Sequence, residues 1–443
     1  MTNTDSGTHH AHLVRGIGFI GLAVVVINSV IGAGIFALPA AISARAGVLS
    51  PWLFLAVGLL MLTVVLTFAE LASYFKTSGG PVLFTTTAFG PLAGFTTGWL
   101  LFVSRMVAFA ANSTVMAIYL GAIWPWFSDG TGRALLIVVV CSSLTYANYI
   151  GVKAGVRTMA VITFFKITPI LLLIVLGLQH LSGDTLFPAT LPTIDDLGGT
   201  TLLLIYAFVG FESVTIVSGE SMDPKRNVPN ALVTTVIVTG TLYFMVVLAY
   251  ISVLPDAGAS GATLIDVGRE LMGPAGTILI TFAAFFSIGG NLSSIMLAVP
   301  RLSFALARDR LLPKWFGKIH DEYSTPSNSI LFLGALGLAF ALTGTFEYLA
   351  AASSLTRLIG YVLCIAALPI IKKRATTEEK AEAWRLKGGY IIPAAGMILC
   401  LWIAAQSTAE SWKVTGALLA AGLVLYAIAA QRRARWQAQP DKD

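Results

Sequence analysis

Twelve predominantly apolar stretches follow one another along the chain, separated by short segments that hold most of its charges and turns. They are 17–43, 49–75, 89–122, 134–150, 159–181, 197–217, 231–254, 275–307, 329–342, 348–371, 391–406 and 414–430. A helix needs about 20 such residues to cross the hydrocarbon of a bilayer, and all but a few of the stretches come close to or exceed that length. Hydrocarbon offers no partner to a peptide N–H or C=O, so a chain of this kind is confined to structures that satisfy those groups internally. Of the 443 residues, 56% are hydrophobic and 11% are charged, whereas an ordinary soluble domain is roughly one-quarter charged. So few charges cannot cover the surface of the two or three soluble domains that this length would otherwise imply. A soluble enzyme, a disordered chain and a collagen-like chain are excluded. The expected fold class is an all-α integral membrane protein with twelve transmembrane helices.

The basic residues give an orientation. With the N-terminus inside, 21 of the 28 Lys and Arg fall in cytoplasmic segments. Arg45, Arg133, Arg269 and Lys413 fall outside, and Arg105, Lys166 and Arg357 lie within apolar stretches. This inward bias predicts a multi-pass protein of the cytoplasmic (inner) membrane with both termini cytoplasmic. It also accounts for the net charge of +6 without nucleic acid as a partner, since no basic stripe interleaves with exposed aromatics. Trp52, Trp124, Trp126 and Trp412 fall near predicted span ends, as interfacial belts require. Cys141, Cys364 and Cys400 lie in apolar stretches without metal-ligand spacing, and the five histidines sit in the N-terminal tail or at segment ends. No metal site and no cofactor are expected. The polar tail 1–16 precedes an apolar stretch too long for a signal-peptide core, so that stretch is expected to stay as the first helix.

Two spans carry small residues at their middles. The first contains Val30-Ile31-Gly32-Ala33-Gly34-Ile35-Phe36 with Pro39 following, and the sixth contains Phe208-Val209-Gly210-Phe211-Glu212-Ser213. Small residues alone are explained by close helix packing. Their positions say more. Residues 17–181 and 197–371 each hold five spans, and because five is odd the second set enters from the opposite side. That is the arrangement of an inverted repeat whose discontinuous helices meet at the bilayer midplane. Residues 391–430 add two further spans, and 431–443 form a cytoplasmic tail. An unwound segment exposes N–H groups at one half-helix start and carbonyls at another half-helix end, a fit for the two charges of a zwitterion.

These segments resemble the amino acid–polyamine–organocation superfamily of transporters. The likeness is carried by Ile31-Gly32-Ala33-Gly34-Ile35-Phe36, by Phe211-Glu212-Ser213 with Gly219-Glu220, and by Asp223-Pro224-Lys225-Arg226-Asn227-Val228-Pro229. Ser78-Gly79-Gly80-Pro81 and the run from Pro300 through Ala307-Arg308-Asp309 and Leu312-Pro313 to Thr325-Pro326 extend it. The resemblance implies a leucine-transporter-type fold: a 5+5 inverted repeat plus two peripheral helices. It implies that the substrate carboxylate meets the N–H groups of Ala33 and Gly34, with Gly32 shaping the turn. The ammonium would meet carbonyls near Val30, Tyr206 and Val209, with Phe208, Phe211 and Glu212 completing the second break. Span 6 is similar to that of the arginine/agmatine antiporter group, which holds a guanidinium between aromatic side chains. The corresponding places here are Tyr206 and Asn291. Loss of an aromatic face removes a cation–π contribution of about 0.5–2 kcal/mol and argues against a strongly cationic substrate.

Ionisable side chains within spans are functional candidates. Lys166 in span 5 either snorkels to the cytoplasm or bridges span 5 to span 1. The resemblance favours the bridge, because some sodium-independent relatives carry a lysine here in place of a bound sodium ion, and its proton is then a candidate for coupling. Glu212 either accepts backbone N–H groups at the second break or acts as a gate. Arg105 and Arg357 lie near mid-membrane, and one of them is expected to pair with Glu212. Deep cations still outnumber anions, which leaves acidic substrates open. Glu70 is a packing or gate contact.

The expected function is sodium-independent secondary transport of amino acids by alternating access, with neutral substrates moved by proton symport or exchange. A basic amino acid or polyamine antiporter and a non-transporting sensor or channel are the alternatives. No HExxH, GxSG or facing aspartate pair suggests an enzyme. Expected partners are the amino acid substrate, membrane lipid and protons, with a homodimer left open.

Overall fold

The computed structural model describes residues 17–151, 156–186, 196–255, 260–386 and 388–437. The expected tail 1–16 and the end of the second tail, 438–443, lie outside the described residues. Regular structure among the described residues is helical, apart from one isolated bridge between Ile17 and Ser221. That bridge ties the start of span 1 to the loop after span 6, through Ile17 N–H to Glu220 O and Met222 N–H to Ile17 O.

In chain order the helices are α1 (Phe19–Val30), α2 (Gly34–Ala46), α3 (Ser50–Ser73), α4 (Gly80–Phe89), α5 (Pro91–Gly121), α6 (Gly130–Tyr149), α7 (Val156–Gly177), α8 (Gly183–Leu186) and α9 (Leu197–Phe208). They continue with α10 (Ser213–Ile216), α11 (Pro224–Val253), α12 (Leu264–Arg308), α13 (Ser327–Thr343), α14 (Phe346–Arg374), α15 (Thr377–Glu382), α16 (Ile391–Ala405) and α17 (Ala409–Gln437). Eight helical stretches among the described residues are long and apolar enough to cross a membrane: Gly34–Ser73, Pro91–Gly121, Gly130–Tyr149, Thr158–His180, Pro224–Val253, Leu264–Arg308, Phe346–Arg374 and Ala409–Gln431. Phe19–Val30, Leu197–Phe208, Ser327–Thr343 and Ile391–Ala405 are apolar but shorter. Helix α5 is the central post, buried along most of its length and packed on α4, α12, α13 and α14; α3 packs mainly on α11.

Several boundaries differ from the apolar pattern. Between the apolar stretches 231–254 and 275–307, α12 begins at Leu264, closed by a capping box between Thr263 and Asp266. Asp266, Arg269 and Glu270 belong to a short first segment that ends at Gly273 (φ 62°, ψ −147°), and the apolar segment beyond that kink matches the stretch 275–307. Gly79 (φ 140°) and Gly80 (φ 49°) turn the chain into the additional short helix α4. The second part of span 6 is only the single turn α10, followed by a 3-10 turn at Ser218–Glu220.

The two small-residue segments are real interruptions. Helix α1 ends as Ile31 turns extended (φ −81°, ψ 94°), and α2 restarts at Gly34. Helix α9 ends as Val209 turns extended (φ −79°, ψ 153°), and Gly210 takes φ 115° before α10. The two breaks press against each other. A Cβ on Gly210 would run into the carbonyl oxygen of Ser29, and one on Gly34 would sit 3.2 Å from the Ala207 Cα. Gly210 therefore meets both a left-handed backbone and a contact that leaves no room for a side chain. We expect Gly210→Ala to cost about 1–3 kcal/mol or more and to lower the melting temperature of the detergent-purified protein by several degrees. Gly240→Ala, whose Cβ would meet only Phe208 Cε1 at 3.6 Å, should melt near the parent value.

Candidate functional site

The first break is held from three sides by polar side chains of neighbouring helices. Ala33 N–H donates to Asn112 Oδ1 on α5 (2.9 Å), and Asn112 Nδ2 donates to Asn291 Oδ1 on α12 (2.9 Å). Asn291 Nδ2 in turn donates to the carbonyls of Asn28 (3.1 Å) and Ser29 (3.0 Å) near the end of α1. Two amides thus form a relay between α5 and α12 that takes up one orphan donor and two orphan acceptors of the break. One turn earlier on α12, Ser287 Oγ lies 3.2 Å from the carbonyls of both Ile31 and Gly32. On the third side, Lys166 Nζ on α7 donates to Ile31 O at 3.0 Å and reaches Ile27 O at 3.4 Å. Lys166 is fully buried, so it does not snorkel; it bridges α7 to α1, and no described carboxylate pairs with it. A buried ammonium with only carbonyl partners is costly unless it has work to do.

The second break is organised by Glu212. Its Oε2 accepts Gly210 N–H (3.1 Å) and Tyr361 Oη–H (2.8 Å), while Oε1 faces Arg105 Nη2 (3.1 Å) and Arg357 Nη1 (3.4 Å). Both deep arginines pair with it, where one was expected. Arg105 Nη2 also donates to Gly210 O (3.2 Å) and to Ser213 Oγ. Arg357 Nε donates to Ser104 Oγ (2.9 Å), which with Ser353 joins α5 to α14.

Between the breaks lies a narrow hollow of about 20 Å³. Of the residues singled out in the sequence, Val30, Gly32, Ala33, Gly34, Arg105, Tyr206, Val209, Asn291 and Arg357 line it together. Phe208 and Phe211 do not. Phe208 is buried against Tyr243, and Phe211 against Phe68 and Tyr361. Glu212 and Lys166 also stand outside the lining, each acting on the backbone of a break rather than facing the space. Ala33 N–H is already taken by Asn112, whereas among the described residues no acceptor is paired with Gly34 N–H. At the other break Ile205 O is taken by Val209 N–H, and no described donor is paired with the carbonyls of Tyr206, Ala207 or Phe208. A half-helix start with free N–H thus faces a half-helix end with free C=O, the polarity a zwitterion needs.

The chemistry-bearing residues that sequence reasoning passed over are Asn112, Ser287, Asn28 and Tyr361. All are uncharged side chains in apolar spans. Asn112 had a signal, since an amide in a 31-residue apolar helix demands a partner as an ionised group does.

Ion pairs close both ends of the bundle. Arg45 joins Glu347 (2.6 Å) and Asp196 (3.6 Å) near one end. At the other, Lys372 meets buried Glu70 (2.7 Å) and lies over the Tyr390 ring, and Glu382 meets Lys225 (2.6 Å) and Lys76 (3.9 Å). The hydrogen bond and charge of Lys225, with Lys76 further off, hold the exposed Glu382 carboxyl below the usual carboxylate range. This contact therefore persists at neutral pH and is lost only as pH falls through that lowered value.

Long apolar helices, two interrupted ones facing a polar hollow and ion pairs at either end define a multi-pass membrane transporter. A family model for amino acid permeases matches residues 17–430, and the chain belongs to that family, within the amino acid–polyamine–organocation superfamily. It is 29% identical over 401 residues to the serine/threonine exchanger of Bacillus subtilis (strain 168), covering 86% of this chain and 87% of the relative. It is 25% identical over 433 residues to the methylthioribose transporter of the same organism, covering 94% and 93%. An uncharacterized transporter of Mycobacterium tuberculosis is 28% identical over 430 residues, covering 94% of this chain and 91% of its own. The family and these relatives are transporters of small molecules, not enzymes.

The amide relay makes a direct expectation. Asn291→Ala leaves the carbonyls of Asn28 and Ser29 and half of Asn112 unpaired, at about 1–3 kcal/mol per buried group. The melting temperature of the purified protein should fall by several degrees, and an unchanged value would show the relay to be dispensable for the fold.

Proposed function

We propose that the chain is a sodium-independent secondary transporter of amino acids that works by alternating access around the two breaks. The observation that carries this reading is the hollow lined by Gly34, whose N–H is unpaired, and by Tyr206, whose carbonyl at the end of α9 is unpaired among the described residues. Such groups in a low-dielectric interior bind a carboxylate and an ammonium better than water-exposed ones do. The substrate carboxylate sits on the start of α2 and its ammonium on the end of α9, with Val30, Gly32, Ala33 and Val209 as walls. The hollow holds only about 20 Å³, room for about one water molecule, so a substrate is admitted as the two breaks move apart during the cycle.

The architecture fits twelve spans arranged as two inverted sets of five, 17–181 and 197–371, with 391–430 peripheral. The long and short apolar helices fall on the twelve apolar stretches, and both interrupted helices open their respective sets. The inward bias of Lys and Arg supports cytoplasmic termini and a location in the cytoplasmic membrane.

Lys166 replaces a bound cation. Its ammonium ties α7 to the Ile27 and Ile31 carbonyls of span 1, and loss of its proton removes those charge-assisted ties. Lys166 thus links protonation to the position of span 1, which supports proton symport or proton-sensitive exchange. The named activity of the Bacillus serine/threonine exchanger supports exchange as the transport mode. Two arginines facing the hollow and Asn291 in place of an aromatic side chain argue against basic amino acids and polyamines.

Proteoliposomes provide the test. Labelled amino acids should accumulate or exchange without sodium and respond to a proton gradient; movement of no amino acid under any gradient would defeat the reading. Lys166→Ala should lower flux by at least about tenfold, a loss of the size expected for one charge-assisted buried contact, while the protein still elutes as a single species in detergent. Near-parental flux would remove Lys166 from the mechanism.

A further inference from the structure

We propose that the hollow selects amino acids bearing a second carboxylate, which Arg357 receives together with Arg105. The proposal rests on the transport reading above and assigns the substrate class of the same site. Arg357 is 1% exposed and lines the hollow. Its Nε is taken by Ser104 and its Nη1 by Glu212, but Nη2 is buried with no partner. A guanidinium carries five donors in a fixed plane and is matched by a carboxylate accepting two of them. The structure thus leaves Nη2 unpaired on a side chain that lines the hollow.

The local charge points the same way. The lining contains Arg105 and Arg357 and no carboxylate. The only described carboxylate in contact with either is Glu212, whose two oxygens already serve Gly210 N–H, Tyr361 Oη–H and both guanidinium groups. One negative charge against two positive ones leaves an excess of one inside the bundle, and an uncompensated buried charge is expensive.

Each substrate class meets this arrangement differently. A cationic side chain adds a third positive charge. A neutral side chain leaves the excess charge and Nη2 as they are, and the amides that might receive a neutral polar group are not free: Asn112 and Asn291 are engaged with each other and with the first break. The α-carboxylate is accounted for at the opposite wall, by the start of α2. A second carboxylate meets the unpaired Nη2 and neutralises the site. Ala108, Val209 and Ile295, also in the lining, cover the short methylene stem between the two ends.

The test is competition against labelled aspartate and labelled glutamate in proteoliposomes, set beside asparagine, glutamine and serine. Aspartate or glutamate should compete at a concentration at least about tenfold lower than its amide counterpart, as expected where a site's buried donors are left unpaired by the wrong ligand. Arg357→Gln should bring that ratio to within about twofold, and Arg357→Lys should restore part of it, since the charge returns without the planar fork. Because a substitution at a buried arginine can impair folding, the aspartate–asparagine pair is also compared by thermal shift on the unaltered protein, where only aspartate should stabilise strongly. Equal potency of acids and amides, with transport intact, overturns this proposal and leaves the transporter reading standing. So does a ratio that Arg357→Gln leaves unchanged. Neutral amino acid flux that requires chloride and fails in gluconate assigns the arginine to an inorganic anion and overturns it too. Transport of no amino acid at all removes the transporter reading and this proposal with it.

Discussion

A peptide group without a partner in hydrocarbon costs several kcal/mol, and this chain opens two helices in the middle of its bundle. The rest of the interior answers that cost. At the first break, side chains from α5, α7 and α12 converge on five backbone groups that α1 and α2 can no longer pair for themselves. At the second, Glu212 does the same for Gly210 N–H, and Arg105 adds a bond to the Gly210 carbonyl, which also accepts Ser213 N–H. The breaks can lie this close only because Gly34 and Gly210 present no side chain to each other's helices. Polar residues that would otherwise be liabilities in a membrane interior are thus distributed according to where the backbone is open.

Not every open group is answered. Gly34 N–H and the Tyr206 carbonyl, both on residues that line the hollow, have no partner among the described residues. That division separates what is fixed from what is exchangeable. Groups locked by Asn112, Asn291, Ser287 and Arg105 define the shape of the unwound segments, while unlocked ones are available to a ligand that arrives and departs. On the proposed reading, binding is favourable because the protein has already borne the cost of holding these dipoles apart. Lys166 belongs to neither set fully, since its tie to Ile31 depends on a proton as well as on geometry.

Much of this was legible in the sequence, for identifiable reasons. The breaks could be read because glycine and small residues in the middle of two apolar stretches are conspicuous, and because the two stretches stand five spans apart. The charged residues could be read because each ionised group in a span demands an explanation; the pairing of Glu212 with arginine follows from that demand, whereas for Lys166 it left snorkelling open and the family resemblance favoured the bridge to span 1. Ser287 and Tyr361 were not legible because a hydroxyl in an apolar helix has a bland alternative, a local backbone bond for serine and ring packing for tyrosine. Ser113, the neighbour of Asn112, simply donates to the carbonyl four residues back, and nothing in the sequence separates one behaviour from the other. The short helical segment ahead of Gly273 was hidden for a different reason: Asp266, Arg269 and Glu270 give it a polar face, so hydropathy shows only the span that follows the kink. Phe208 and Phe211 were drawn toward the site by their position in the break, but flanking a break does not fix which way a ring points. Packing against Tyr243 and Tyr361 decides it.

The arginines connect the second break to the hollow in a way neither group does alone. Glu212 holds Gly210 by its N–H and, through Arg105, by its carbonyl, so the shape of that break depends on how the Glu212 charge is shared. Arg357 shares it as well, at the longer distance of 3.4 Å, while anchored by Nε to Ser104. An anion placed on the open edge of Arg357 would draw on the same positive charge that Glu212 uses. The pull of Arg357 on Glu212 would then weaken and that of Arg105 would matter more. Arg105 is the one bonded to Gly210 O and to Ser213 at the start of α10. A substrate carboxylate in the hollow is thereby wired to the backbone turn that separates α9 from α10, through side chains on α5 and α14. Such a ligand needs no direct contact with Glu212 to bias the conformation of span 6. It needs only a different affinity for the two ways in which the charge can be shared.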